Sequence, residues 1–203
     1  MSKTTRSFLA PLGLAAIMLL GGCAASSETS RLYDLGPVDA RPLPSAPALP
    51  PISIAEVRVP AWLDSHRMFY RLDYANEQQP RAYADSKWAM PPGQLFVQRL
   101  KSRLSQAGGV VVPASDGALN LPTLTIEADD FSQAFDRAGH SRAQIAIRAS
   151  VFDGRYLRAQ KMFVRQIPTD SADARGGAAA LAAGSDAIID DIAVWLAQLP
   201  AKK

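Results

Sequence analysis

Cys23 is the only cysteine of the 203-residue chain, and a lone thiol can serve as a metal ligand beside histidine or as a point of covalent attachment. The first use needs partners at ligand spacing. His66 and His140, the two histidines, stand at ligand spacing neither with each other nor with Cys23, so no zinc site follows. Nucleophile elbows of the form G-x-S-x-G, phosphate loops and dinucleotide-binding glycine fingerprints are absent as well. Two carboxylate doublets remain, Asp129-Asp130 and Asp190-Asp191. Neighbours on a strand point to opposite faces and neighbours on a helix diverge by about 100°, so neither doublet makes a paired acid and base. Both read as solvated faces. The inventory argues against catalysis, and no catalytic residue, metal or cofactor is expected.

Covalent attachment fits the surroundings of the thiol. Lys3 and Arg6 precede an apolar run from Phe8 to Leu20, interrupted by Pro11 and Gly13. That run is too short for a permanent membrane span and suits a removable signal peptide. It ends in Leu20-Gly21-Gly22-Cys23, which resembles the lipobox of bacterial lipoproteins. The resemblance implies cleavage between Gly22 and Cys23, diacylation (palmitate-type chains) of the Cys23 thiol and acylation of its new amino terminus. One acyl chain binds a bilayer only marginally, at about 0.8 kcal/mol per buried methylene, whereas three hold a protein almost permanently. Ala24 follows where an aspartate would favour inner-membrane retention, so lipoprotein sorting rules imply the periplasmic face of the outer membrane.

Losing residues 1–22 removes Lys3 and Arg6 and lowers the formal charge from +3 to +1. A nearly neutral mature chain offers no footprint for nucleic acid and no polybasic patch for anionic lipid. Its remaining residues suffice for one core.

Residues 23–31 form an acylated leash that, extended, reaches roughly 25 Å. A folded domain over 32–200 follows, with a proline-rich connector at 36–51 and a short tail at 201–203. Alternation predicts a strand over 52–59, slipping once near Ala55, with residues 68–74 as its partner strand. Residues 76–80 read as a turn-rich loop and 81–84 and 87–89 as short extended pieces. Phe96, Leu100, Leu104 and Ala107 predict an amphipathic helix over 94–107, with Arg103 away from its apolar stripe. A brief strand at 110–112 comes next. Three long alternating segments, about 124–135, 144–151 and 156–167, predict an antiparallel meander. The alanine-rich end predicts a capped helix over 172–199, softened near Gly184-Ser185. The expected fold is α/β (α+β), a mixed and mainly antiparallel sheet covered by two main helices.

Trp62, Phe69, Tyr70, Tyr74, Tyr83 and Trp88 crowd into one stretch, interleaved with Arg67, Arg71 and Arg81. The simplest reading is core and sheet edge, and the same composition also suits a protein interface. The run from Val57 to Asp64 (Val-Arg-Val-Pro-Ala-Trp-Leu-Asp), Met68-Phe69-Tyr70-Arg71, the run from Arg81 to Trp88, and Pro91-Pro92 before the helix resemble the ABC-type transport auxiliary lipoprotein family. The lipobox, the Tyr33-x-Leu35 strand and the terminal helix match it too. The resemblance implies an outer-membrane lipoprotein, non-enzymatic, docking a periplasmic MCE-domain protein that works with an ABC or permease component to move lipids or other hydrophobic compounds between membranes. In PqiC-like members it also implies homo-oligomeric rings. Trp62, Leu63, Asp64, Tyr70, Arg71, Tyr83 and Trp88 are the candidate partner-binding or family-motif residues. Two other readings stay open: a lipid-binding periplasmic lipoprotein, and an accessory to another outer-membrane assembly machine.

Overall fold

The computed structural model describes residues 30–38 and 49–200. The signal peptide, Cys23, nearly all of the leash, the middle of the connector and the tail lie outside the described residues.

Eight strands share one sheet: β1 Arg31–Tyr33, β2 Ile52–Ile54, β3 Arg67–Leu72, β4 Glu77–Trp88, β5 Val111–Pro113, β6 Thr123–Arg137, β7 His140–Asp153 and β8 Tyr156–Pro168. Among the described residues, helix α1 is a single turn, Asp73–Asn76, while α2 (Pro92–Gln106) and α3 (Ala174–Gln198) are the two long ones. Strand β6 is the spine. One of its edges carries β7 and then β8, antiparallel, as the alternation predicts. Its other edge forks: β2 joins parallel at Thr123 and Leu124, and β3 joins parallel from Gln133 to Phe135. Strand β5 extends the first arm, and β4 then β1 extend the second.

The expectation of a mainly antiparallel sheet is therefore corrected. Pairings β1/β4, β2/β5, β2/β6 and β3/β6 are parallel, against antiparallel β3/β4, β6/β7 and β7/β8. Parallel neighbours need long crossovers, and here everything from β3 to α2 lies between β2 and β5. Three-residue strands are also too short for alternation to reveal how they pair. Strand β2 stops at Ile54, where the pattern slips, and only Arg58 bridges again, to Glu127. Squeezed between β5 and β6, it buries all three residues. Residues 68–74 are not its partner; β3 pairs with β4 and β6 instead. The expected loop at 76–80 and the two short extended pieces are one strand, β4, whose register jumps between Arg67/Lys87 and Phe69/Ala82.

Both long helices cover one face of the sheet, because only that face is apolar throughout. Leu124, Ile126, Ala128, Ile145, Ile147, Ala149 and Val151 join Phe96, Leu100, Leu104, Leu181, Ile188 and Ile192 in one buried cluster. Each large side chain so buried contributes roughly 1.5–3 kcal/mol. Pro91 and Pro92 open α2, and Gly108 at φ +81° follows its end, where a side chain would be strained. Helix α3 runs unbroken through Gly184-Ser185, contrary to expectation. The absent side chain of Gly184 lets the helix approach the sheet, since a Cβ there would stand 2.9 Å from Ile145 Cδ1. Ser185 Oγ meanwhile donates to the Leu181 carbonyl at 2.7 Å.

Charge also clamps the two helices. Arg99 and Arg103 of α2 face Asp186 and Asp190 of α3, each pair four residues apart so that both members share a helix face. Arg99 grips Asp186 with two hydrogen bonds of 2.6 and 2.8 Å, and its Nη1 donates to the carbonyls of Leu35 and Gly36. Arg103, expected away from the apolar stripe, is only 1% exposed and meets Asp190 Oδ1 at 2.6 Å. The sequence periodicity missed this burial because the arginines buy their place through carboxylates on another helix.

Gly177 supplies a test of how tightly α3 seats. A Cβ at that position would lie 2.1 Å from Gln133 Oε1, and Gln133 is itself 1% exposed and held by Tyr83 and Ser141. Gly177→Ala is expected to lower stability by about 1–3 kcal/mol through overpacking. Urea unfolding should show an earlier midpoint at unchanged slope.

Candidate docking site

The aromatic stretch divides between core and surface. Leu63 and Trp88 are each 1% exposed; Trp88 stacks edge-on against Phe131 with centroids 5.8 Å apart, so both belong to the core. Pro60 starts the turn that buries Leu63, since Leu63 N–H donates to the Pro60 carbonyl at 2.8 Å.

Two half-buried clusters reach the surface. In the first, Trp62 packs edge-on against Phe69 at 5.2 Å while the Arg71 guanidinium lies over the indole at 5.2 Å. Arg71 Nη1 also donates to the Glu77 carbonyl at 2.9 Å, which fixes the stack to the start of β4. An exposed cation–π contact of this kind contributes about 0.5–1 kcal/mol and presents an aromatic edge beside a fixed positive charge. In the second, Tyr70 meets Tyr83 at 4.7 Å and Phe135 at 5.7 Å. Tyr83 donates to Gln133 Oε1 at 2.9 Å, Gln133 Nε2 donates to Ser141 Oγ at 2.8 Å, and Ser141 Oγ contacts Thr169 Oγ1 at 2.7 Å. Burial first, and the neighbouring Tyr70 and Asp173 after it, push the Tyr83 phenol well above its ordinary range. It stays a hydrogen-bond donor rather than a proton-transfer group. Asp64, exposed, lines a surface cleft of about 640 Å³ with Val57, Val59, Met90, Val97 and Lys101.

Outside these clusters, the two histidines and the two carboxylate doublets are engaged locally. His66 Nδ1 sits 3.0 Å from the Trp88 carbonyl, and His140 Nδ1 sits 2.6 Å from Asp136 Oδ1 in the β6–β7 turn. That hydrogen bond holds the Asp136 carboxyl below its usual range. The doublets diverge as expected, but they are ion-paired or hydrogen-bonded rather than simply solvated. Asp129 meets Arg148 at 2.9 Å while Asp130 accepts from Ser132 and Gln144; Asp190 meets Arg103 while Asp191 meets Arg165. Burial raises the Asp130 carboxyl against the lowering effect of Ser132, Arg71 and Gln144. Among the described residues no group of three or more His, Cys, Asp or Glu could hold a metal, and no helix is long and apolar enough to cross a membrane.

Asp173, beside Tyr83, caps α3 by accepting from Gly176 N–H at 2.8 Å. That bond, and a second from Ser171, hold its carboxyl below the ordinary range. A depressed folded value means the stabilisation is fully present above the unfolded value of about 3.9 and is lost as pH falls through the folded value. Asp173→Ala is expected to cost about 1 kcal/mol at neutral pH, with the gap to wild type narrowing below about pH 4, as urea unfolding at the two pH values would show.

A protein-family model described as ABC-type transport auxiliary lipoprotein component matches residues 33–193. Curated proteins give no match. Among solved structures, protein XCC0632 from Xanthomonas campestris, assigned to DUF330, superposes with a TM-score of 0.71 at 19% identity, covering 82% of this chain and 94% of that one. A second crystal structure, of an uncharacterized protein, gives a TM-score of 0.63 at 20% identity, covering 81% and 97%. These likenesses establish a shared fold.

Proposed function

The chain belongs to the ABC-type transport auxiliary lipoprotein component family, and from that premise we propose that it is a non-enzymatic adaptor anchored in the outer membrane through Cys23. Its task is to dock the periplasmic MCE-domain component of a lipid or hydrophobic-compound transporter at that membrane. The family match over residues 33–193 carries the reading, because it spans α2, most of α3 and nearly the whole sheet rather than one motif. The geometry supports it in two ways. Chemistry at a reacting centre needs convergent acids, bases or metals, and the buried charges at the α2–α3 seam are held in ion pairs while Asp173 caps α3. The surface instead carries half-buried Trp, Tyr and Arg, side chains suited to protein contact.

Chemical crosslinking of native envelopes, followed by affinity recovery of the lipoprotein and mass spectrometry, tests the proposal. An MCE-domain protein is expected among the adducts. Recovery of the lipoprotein without one, from envelopes in which that MCE protein is abundant, would overturn it.

A further inference from the structure

Strand β8 closes one side of the sheet and pairs with β7 alone among the described residues. It is 13 residues long, and its single register shift lies near its start, between Val151 and Phe152 of β7, so its later part is regular. Exposed edges of this length are usually shortened, bulged or covered, because their unpaired N–H and C=O groups template another strand. Four of the eight large hydrophobic side chains left exposed among the described residues sit on it: Tyr156, Leu157, Met162 and Val164. Met162 and Val164 lie on the sheet face that no long helix covers, opposite Arg148 and Ala146, whereas Phe163 points to the covered face and meets Trp195.

Charge narrows what could pair there. Between Asp153 and Asp170 the chain carries Arg155, Arg158, Lys161 and Arg165 and no acid. Arg165 is paired with Asp191, while Arg155, Arg158 and Lys161 have no carboxylate within ion-pair distance among the described residues. A second copy's β8 would set these cations against the same cations, and like charges across a strand pair are destabilising. An acidic segment removes that repulsion. Anionic lipid would answer the charge but cannot continue a ladder of backbone hydrogen bonds. The sheet order also sets β8 five strand positions from β1, about 24 Å at the usual strand spacing. The described chain enters the sheet at β1, so β8 is the edge farthest along the sheet from that entry.

We propose that the free edge of β8 is the docking strand for an extended acidic segment of the periplasmic transport partner. This inference rests on the anchored-adaptor reading given above. The incoming segment adds to the sheet, with apolar residues lying beside Met162 and Val164, a carboxylate at the alternate position beside Lys161, and further acids towards Arg158 at the register shift and Arg155 in the turn before β8. Its sequence therefore alternates acidic and apolar residues.

The test places a benzoylphenylalanine photo-crosslinker at Gln160 of the full-length lipoprotein in its own host, with palmitate incorporation and MCE co-recovery measured in the same envelopes. Illumination is expected to give an adduct to a periplasmic transport component, mapping to a segment in which acidic and apolar residues alternate. Reversal of the two free arginines, R155E/R158E, should cut the adduct at least tenfold while leaving membrane fractionation and the unfolding midpoint of the purified protein in place. The charge-keeping variant R155K/R158K should retain it. An adduct to a second copy of this chain, an adduct to lipid, or an adduct indifferent to charge reversal would overturn the proposal. So would the lack of any adduct where palmitate labelling and MCE co-recovery are intact, and that result would leave the adaptor reading standing. Loss of palmitate labelling itself would instead bring down the anchor and this inference together.

Discussion

Asp190→Ala is expected to lower the stability of the folded domain by about 3–5 kcal/mol, the usual cost of removing one partner of a buried ion pair. Arg103 is 1% exposed and Asp190 15% exposed, so solvent cannot take over the carboxylate's role when it is removed. The guanidinium, held between α2 and α3, would then lose its 2.6 Å contact to the carboxylate. For a domain of this size each kcal/mol lowers the melting temperature by about 2–4 °C, so calorimetry reads the effect directly. A second comparison separates charge from packing. Arg103→Met combined with Asp190→Leu replaces the pair by apolar side chains and is expected to recover most of the loss, because the desolvation of two charges goes with them. Removal of Asp129, whose partner Arg148 is 38% exposed, should cost no more than about 1 kcal/mol. Equal losses at Asp129 and Asp190 would show that the α2–α3 clamp is an ordinary surface contact.

Cys23→Ser is expected to abolish palmitate incorporation and to move the protein from the membrane fraction to the soluble periplasm. The size of the effect follows from the anchor being chemical: each buried methylene of an acyl chain contributes about 0.8 kcal/mol, and a hydroxyl in place of the thiol removes the thioether-linked chains altogether. No helix among the described residues is long and apolar enough to hold the protein in a bilayer in their place. The folded domain begins beyond this position, so the unfolding midpoint of the purified variant should match that of wild type once both are freed of lipid. A membrane-bound Cys23→Ser protein would place the attachment elsewhere. The labelling experiment and cell fractionation can be run on the same cultures.

What the sequence revealed was whatever has a long period. The meander from β6 to β8 was legible because its strands are long enough for alternation to repeat many times. Helix α2 was legible from Phe96, Leu100 and Leu104, and the start of α3 from the cap residues near Asp173. Short parallel strands were not, since Ile52, Ser53 and Ile54 are all buried and so show no alternation. The pairing of β3 with β6 joins Tyr70 to Gln133 across a long stretch of chain, and nothing local to either residue encodes it. The aromatic cluster was visible as composition, but its division was not: Trp62 and Trp88 are the same residue type in similar surroundings, and only the fold sends one to the surface and the other beneath Phe131.

The helix clamp was missed for a different reason. A charged residue on a helix is ordinarily a surface residue, and that prior hid Arg103. The signal available was the matched spacing, Arg99 with Arg103 and Asp186 with Asp190, opposite charges at one helical turn on two helices that must both cover the same sheet face. Gln133 gave no signal at all, because its burial depends on Tyr83, Ser141 and Gly177, which come from three other elements.

The central claim is that a lipid-held, chemically passive domain receives a periplasmic transport component at the membrane. Its most direct test is binding of the purified MCE-domain protein from the same host to the palmitoylated lipoprotein reconstituted in vesicles of that host's outer-membrane phospholipids. Saturable binding that depends on the lipoprotein, with the vesicle phospholipids chemically unchanged, is the predicted result. Vesicles fully loaded with correctly folded lipoprotein that bind no more MCE protein than bare vesicles would contradict it.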